Sequence, residues 1–355
     1  MLLGASLAAF TTAILIAVLT PLAHRIGLVD IPDHRKVHNG QVALVGGLAF
    51  YAGFWMGALT LEVSLFDYRA FFAASFLLVC VGVLDDFNEL SARTRIDAQL
   101  IAALLMTFWG GVIVQNLGGL LPGGNVLLEG WSIPFTLVAV VGAINAMNLS
   151  DGLDGLGGGL AVVTMGSAAF LAWRSGVYRE FALLTILVVT ILVFLLFNLR
   201  SDSGSKVFMG DAGSMLLGFA VAWFLTVLSQ GQTKALTPVT ALWIFALPLL
   251  DTVAAMLRRI LWGRSPFRAD RAHIHHLLHD AGFSHRAATS IVLALAATFA
   301  LIGIGGIMQG ISEPLMFRGF LALFLAYFAC IVYFAKKEPE YEAAAIDDRK
   351  VVRLG

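Results

Sequence analysis

Four short polar segments interrupt an otherwise apolar chain, and their side chains are of the types that bind metal ions and phosphate. They are Asp85-Asp86, the segment 145–155, the segment 206–214, and the segment 270–276 with its three histidines. Ionisable side chains beside or inside hydrocarbon are costly, so they usually mark a transport pathway or a reaction site. Whether the four segments form one site depends on which side of a membrane each occupies.

The adjacent carboxylates Asp85 and Asp86 follow an apolar run directly. Such neighbours repel each other unless a cation or a proton lies between them. Hard oxygen ligands of this kind suit Mg²⁺ or Mn²⁺, which usually also contact the phosphates of a substrate. The alternative interpretation is a pair of solvated acids at a helix end, with Arg93 and Arg95 nearby.

The segment 145–155 carries Asn145, Asn148, Asp151 and Asp154 among glycines. Asp151 and Asp154 share one face if the segment is helical. The glycines let a ligand approach the backbone closely, and the two amides add donors and acceptors. The pattern favours a binding loop over a solvated glycine-rich turn.

Asp211 and Phe208 lie just before another apolar run. Backbone amides at the start of a helix bind phosphate well, and Asp211 would hold a metal that bridges to it. A plain N-cap at Asp211 or Ser214 is the alternative.

His273, His275 and His276 follow Asp270 and Arg271 in a basic segment. Neutral imidazoles with carboxylates would suit a transition metal, whereas histidines with arginine would bind a diphosphate. A basic loop on anionic lipid remains a third interpretation. Asp251 lies about two turns inside the preceding apolar run, where pairing with Arg258 or Arg259 is expected.

Composition and apolar patterning predict an all-α integral membrane protein. Hydrophobic residues make up 59% of the chain, charged residues 13%, and the mean hydropathy is +0.86. A span needs about 20 apolar residues. About eleven transmembrane helices are predicted, at 2–23, 42–62, 69–84, 98–115, 132–147, 158–174, 180–198, 212–229, 237–257, 288–309 and 315–335.

The basic residues predict the orientation in the membrane. Loops that follow odd-numbered spans, together with the C-terminal tail, hold all but five of the 23 Lys and Arg residues. The excess of positive charge marks the cytoplasmic side. The N-terminus is therefore expected outside and the C-terminus in the cytoplasm, and every polar segment falls on the cytoplasmic face.

One membrane domain, 1–335, is expected to contain all the chemistry, and the charged tail 336–355 is expected to be disordered. The first apolar run reads as an uncleaved anchor, because its positive charge follows it. Zero net charge gives no indication of a nucleic-acid partner. Cys80 and Cys330 support neither a disulfide framework nor a zinc site.

In combination and order, the polar motifs resemble those of the polyprenyl-phosphate N-acetylhexosamine-1-phosphate transferase family. The motifs are DDxxE at 85–89, NAMNLSDGLDGL at 145–156, KVFMGDAGS at 206–214 and DRAHIHH at 270–276. The His-Ile-His-His pattern resembles the WecA-type branch, whereas MraY-type members tend to have three consecutive histidines. Glu89 departs from the branch, which often has Asp there.

The resemblance implies transfer of N-acetylglucosamine-1-phosphate from UDP-N-acetylglucosamine to undecaprenyl phosphate, with release of UMP, at the bacterial inner membrane. The catalytic candidates are Asp85, Asp86, Asp151 and Asp154. The family pattern would have Asp211, Asn148 and Asp86 hold Mg²⁺ (or Mn²⁺). The expected substrate-binding residues are Lys36, Asn145, Phe208 (stacked on uracil), Arg271, His273, His275 and His276.

Several alternatives stay open. The same chemistry with another UDP-N-acetyl sugar, including phospho-MurNAc-pentapeptide transfer, fits the same motifs. A covalent aspartyl intermediate competes with direct attack by the lipid phosphate. A multi-pass transporter would place polar residues on both sides and at mid-membrane. A homodimer is expected only from the family.

Overall fold

A computed structural model describes residues 1–31, 40–199, 207–231, 234–265 and 273–335. This part of the chain is mostly helical, as predicted. The predicted tail 336–355 lies outside the described residues. In chain order the α-helices are α1 Leu2–Ile26, α2 Gly46–Ala58, α3 Arg69–Asn88, α4 Ala92–Leu104, α5 Ser132–Ser150, α6 Leu156–Arg174, α7 Tyr178–Asn198, α8 Gly210–Ser229, α9 Pro238–Ile244, α10 Ala246–Leu261, α11 Ile274–Asp280, α12 His285–Met308 and α13 Glu313–Ala335.

Every predicted apolar run contains a helix, but not every helix has the length and composition of a span. Eight of the described helices do, and the pair α9 and α10, bent by 83°, makes a ninth if it is counted as one span. Helix α2 has only 13 residues, about 20 Å. Helix α4 begins with charged residues and continues as a π-helical turn, Leu105–Trp109. The described helices thus establish a multi-pass membrane protein, while the count of eleven spans stays a prediction.

Helix α8 forms the centre of the bundle and is its most buried span. It packs against α2, α3 and α5 through glycines. A Cβ atom on Gly82 of α3 would collide with the backbone of Ala212, and one on Gly47 of α2 with that of Gly213. Small residues let helix backbones approach this closely inside a membrane. The crossings fix the start of α8, where Asp211 lies.

A short extended segment reinforces that position. Strands β1 (Val29–Asp30) and β2 (Val42–Ala43) pair antiparallel, and Ala43 bridges to Val207 on the chain that leads into α8. The backbone N–H of Phe208 donates to Ala43 O at 2.9 Å, and that of Gly46 donates to Phe208 O at 2.9 Å. The backbone on both sides of Phe208 is therefore held before α8 begins.

Helix α10 buries charged side chains and exposes apolar ones. Asp251, Arg258 and Arg259 are buried, whereas Ile260 and Leu261 are exposed. An exposed apolar face is what lipid contact requires. The bend between α9 and α10 therefore turns a polar helix face towards the protein interior, on the side where α11 packs.

Candidate active site

Asp86 and Asp211 meet where α3 ends and α8 begins. Asp86 Oδ1 accepts a hydrogen bond from the backbone N–H of Asp211 at 2.8 Å, and Oδ2 accepts one from Ala212 at 3.4 Å. A carboxylate at a helix N-terminus satisfies free donors and is favoured by the helix dipole. Gly210 has φ +69°, and a Cβ there would collide with Asp86. Asp86 thus sets the backbone that carries Asp211.

Asn148, near the end of α5, completes this group. Its Nδ2 donates to Asp211 Oδ1 and, at 2.9 Å, to Ser214 Oγ. Three helices therefore bring Asp86, Asn148 and Asp211 together, the set predicted to hold a metal ion. Asp211 is not the N-cap of α8, which is Met209; it lies in the first turn, and its side chain faces the amide of α5.

Asp85 is buried but stays connected to the neighbouring loop. Its Oδ1 accepts from the backbone N–H of Leu90 at 2.6 Å, and its Oδ2 lies 3.4 Å from Arg95 Nη1. Oδ2 is buried and accepts no hydrogen bond from the described residues. A buried carboxylate oxygen without a donor is costly. Asp85 is therefore not the solvated acid of the alternative interpretation.

The acid loop, 151–155, joins α5 to α6. The pKa of Asp151 is raised to about 8, first by burial and then by the negative charges of Asp211, Asp154 and Asp86, against a backbone hydrogen bond from Gly157. Carboxylates that oppose one another's ionisation are stabilised by a shared cation. The acids predicted to be catalytic and those predicted to bind metal therefore form one electrostatic cluster.

The donor set fits a hard divalent cation such as Mg²⁺. Among the described residues, no three His, Cys, Asp or Glu side chains are arranged to hold a metal ion by themselves. Mg²⁺ typically takes one or two carboxylates from the protein and its other ligands from phosphate and water. Asp211, with the Asn148 amide beside it, supplies such a partial set.

Asn198 braces this site and was missed in the sequence. It is buried at the end of α7, where its Oδ1 accepts from Gly155 N at 2.6 Å and its Nδ2 donates to Val207 O at 2.9 Å. One side chain thus ties the acid loop to the segment that leads into α8. Its only signal in the sequence is an amide at the end of an apolar run.

Asn145 has a different environment from the one predicted. Its Nδ2 donates to Gln99 Oε1 at 2.7 Å and to Val141 O at 2.8 Å. Gln99 is buried in α4, so the amide links α4 to α5. Both amide hydrogens are used inside the protein, and substrate binding by Asn145 stays a prediction that this geometry does not favour.

The histidine segment reaches the acid loop through His275. A Cβ atom on Gly152 would collide with His275 Nε2, so the imidazole lies directly over the loop backbone. The pKa of His275 is lowered to about 3, mainly by burial and next by the charge of nearby His276. His275 is therefore neutral at physiological pH, and the geometry favours packing over a charged grip on phosphate. The ring of His276 lies 4.2 Å from that of His275.

Asp251 was expected to pair with Arg258 or Arg259, but its partners are on α11 and at its start. Its Oδ2 lies 2.8 Å from His273 Nδ1, and its Oδ1 accepts from Ile274 N at 3.1 Å. No local pattern indicates this contact, because Asp251 lies in an apolar run and His273 in another element.

Three predicted positions remain to be placed. Lys36 and Arg271 lie outside the described residues. Phe208 is partly exposed on the segment that leads into α8, where its backbone pairs with Ala43 and Gly46. Its stacking on uracil stays a prediction.

The fold and the site together define a multi-pass helical membrane protein with carboxylates clustered at the ends of several helices. Residues 68–229 match the model of the glycosyl transferase family 4. The chain is 41% identical over 312 residues to a Yersinia pestis protein, covering 87% of this chain and 86% of that one. It is 38% identical over 312 residues to a protein of Escherichia coli (strain K12), with coverage of 87% and 85%. It is 40% identical over 329 residues to a Haemophilus influenzae protein, with coverage of 92% of each.

All three relatives are named undecaprenyl-phosphate alpha-N-acetylglucosaminyl 1-phosphate transferase. The chain belongs to the glycosyl transferase family 4. This confirms the resemblance to transferases that its motifs indicated. It is an enzyme of the glycosyl-1-phosphate transferase class.

Proposed function

We propose that this enzyme transfers N-acetylglucosamine-1-phosphate from UDP-N-acetylglucosamine to undecaprenyl phosphate. The products are UMP and undecaprenyl-diphospho-N-acetylglucosamine, which begins the synthesis of a cell-envelope polysaccharide. The observation that carries the proposal is the meeting of Asp86, Asn148 and Asp211 beside the acid loop. The names of the relatives supply the sugar and the lipid.

The carboxylate cluster suits the binding of a diphosphate through a metal. Asp211 and Asn148 would hold Mg²⁺ (or Mn²⁺), and Asp86 would keep Asp211 in place from the start of α8. The ion, when bound, would offset the charge of the diphosphate. Phosphoryl transfer depends mainly on positioning and on electrostatic stabilisation, which fits a site made of ligands and braces.

In the proposed reaction, an oxygen of the lipid phosphate attacks the phosphorus attached to the sugar. The bond from that phosphorus to the oxygen of UMP breaks, UMP leaves, and a new phosphoanhydride forms. Asp85 would position or deprotonate the lipid phosphate, since its Oδ2 accepts no hydrogen bond from the described residues. Label from the sugar-phosphate retained on the protein in the absence of lipid would favour the aspartyl intermediate instead.

We place the site at the cytoplasmic face of a bacterial inner membrane, where nucleotide sugars are made. The support is the distribution of Lys and Arg along the chain. A transporter is disfavoured, because the polar clusters gather at helix ends and the family is that of a transferase.

The test uses the purified protein in detergent with undecaprenyl phosphate, Mg²⁺ and separate UDP-sugars. UMP and lipid-linked product are expected with UDP-N-acetylglucosamine and are expected to disappear with EDTA. Asp211→Asn is expected to lower turnover at least about 100-fold, as loss of an electrostatic group at a reacting phosphate does. Asp280→Asn, a change at an exposed site on α11, is the matched control.

Turnover only with another UDP-N-acetyl sugar would keep the class and change the substrate. A folded protein that releases no UMP from any donor would contradict the proposal and return attention to transport.

A further inference from the structure

Asp251 lies in α10, away from every predicted motif, yet its carboxylate is an anchor of α11. Oδ2 lies 2.8 Å from His273 Nδ1, and Oδ1 accepts both the Ile274 backbone N–H at 3.1 Å and the Tyr327 hydroxyl at 2.7 Å. The side chains of Asp251 and His273 are 6% and 4% exposed. Three donors from two other elements thus converge on one buried carboxylate.

This arrangement fixes both the histidine ring and the helix. An ionised carboxylate only accepts hydrogen bonds, so His273 Nδ1 carries a proton and Nε2 points away from Asp251. The Ile274 N–H is one of the free donors of the first helical turn. One carboxylate therefore sets the ring orientation of His273 and the start of α11 together.

Helix α11 connects this anchor to the acid loop through its histidine rings. The rings of His273 and His275 stack nearly parallel, with centroids 6.0 Å apart, and His275 lies over Gly152. Asp251, Ile274 and His275 line the same small pocket at this junction. The hydrogen bonds to Asp251 therefore hold the start of α11 beside the acid loop.

We propose that Asp251 and Tyr327 are positioning residues of the transferase, which hold α11 so that its histidines stay against the acid loop. They act through His273 and His275 and do not touch the substrate. The inference rests on the proposed function, because its effect on turnover requires the nucleotide sugar to bind beside the acid loop. Through Tyr327, the last span, α13, would also help to position the site.

Asp251→Asn tests the proposal, since the amide keeps the size of the side chain but sets a donor where His273 donates. Hydrogen exchange of the amides of residues 274–280 is expected to become faster. The kcat/KM for the nucleotide sugar is expected to fall about 10- to 100-fold, as for other carboxylates that orient a functional histidine. The KM for the lipid phosphate should stay within about twofold, because α11 is proposed to act on the nucleotide-sugar side of the site.

Tyr327→Phe removes one hydrogen bond and keeps the ring. It is expected to lower the same kcat/KM about fivefold and to raise exchange in α11 less than Asp251→Asn does. Thermal unfolding shows whether Asp251→Asn folds. If it does not fold, Tyr327→Phe alone tests the proposal. Asp97→Asn on α4 and Tyr178→Phe on α7 make the same chemical changes at exposed positions and should leave both readouts unchanged.

Unchanged exchange in α11, or faster exchange with unchanged kcat/KM, would overturn the proposal. If the wild-type protein turns over no UDP-sugar, the proposed function fails. Exchange in α11 and UDP binding with Mg²⁺ then decide the positioning role separately. Faster exchange with weaker UDP binding in Asp251→Asn supports that role, and any other result rejects it.

Discussion

The contact between His275 and Gly152 shows how one residue pair joins two motifs. The imidazole occupies the space in which any other residue at position 152 would place its Cβ. The His275 ring is buried by this packing, and the same burial disfavours its protonated form. The histidine motif therefore contains side chains with different tasks, although the sequence shows them as one run.

His275 predicts acid sensitivity. Its folded pKa of about 3 lies below the unfolded value near 6.5, so between these values the unfolded chain binds more protons. The stability that neutral His275 contributes should therefore be lost as the pH falls below about 6.5, whereas Asp151, with its raised folded pKa, changes stability in the opposite direction. The contribution of His275 between pH 6.5 and 5 is about 2 kcal/mol.

Thermal unfolding in detergent at pH 7 and pH 5 measures this effect. His275→Gln is expected to show a smaller drop in Tm than the wild-type protein. His24→Gln, a change at an exposed position, serves as the control. Equal drops in His275→Gln and in the wild type would contradict the buried neutral histidine.

At the scale of the elements, the N-terminus of α8 is the feature that assembles the site. Asp86 caps it, Asn148 meets its Asp211 side chain, and Asn198 ties its leading segment to the acid loop. These contacts depend on how closely α3 and α2 approach α8. Glycines at the crossings set that distance.

Gly82→Ala is expected to destabilise the protein by about 1–3 kcal/mol, the usual effect of overpacking. Its Cβ would press on the backbone of α8 at Ala212, so Asp211 should move as well. Tm and UMP release at a temperature where the variant is folded measure the two effects.

Gly142→Ala is the control, because a Cβ on Gly142 meets no atom within 4 Å. It is expected to leave Tm unchanged or to raise it slightly. A Gly82→Ala variant that behaves like Gly142→Ala would show that this crossing does not set the position of Asp211.

On the scale of the whole molecule, the direction of insertion decides whether the site can use a cytoplasmic nucleotide sugar. The orientation rests on the distribution of basic residues and stays a prediction, as does the homodimer. Single cysteines in a background without Cys80 and Cys330 test it. Asn125→Cys should react with a membrane-impermeant maleimide on intact spheroplasts, and Arg93→Cys only after permeabilisation.

Both positions are exposed, so differences in labelling report the side of the membrane. The reverse labelling pattern would place the acid cluster outside and would contradict the use of a cytoplasmic nucleotide sugar. Labelling of both positions before permeabilisation would show leaky spheroplasts and call for intact cells.

The sequence by itself determined the class of protein and the helical runs, while the roles of the site residues stay predictions. Hydropathy is a local property, so it located a helix in every predicted run. It overestimated the length of α2 and the apolar character of α4. The spacing of acids, amides and glycines within each motif was enough to identify the family, because each motif is continuous in the chain.

Only the tertiary structure decided which polar groups meet. Asp86 and Asp211 are 125 residues apart in sequence, and Asp251 and Tyr327 are 76 apart. Such pairs depend on helix crossings and on the bend between α9 and α10, which no local pattern encodes. For the same reason, Asn198 and Gln99 looked like isolated amides in the sequence, and only their packing reveals them as braces of the site.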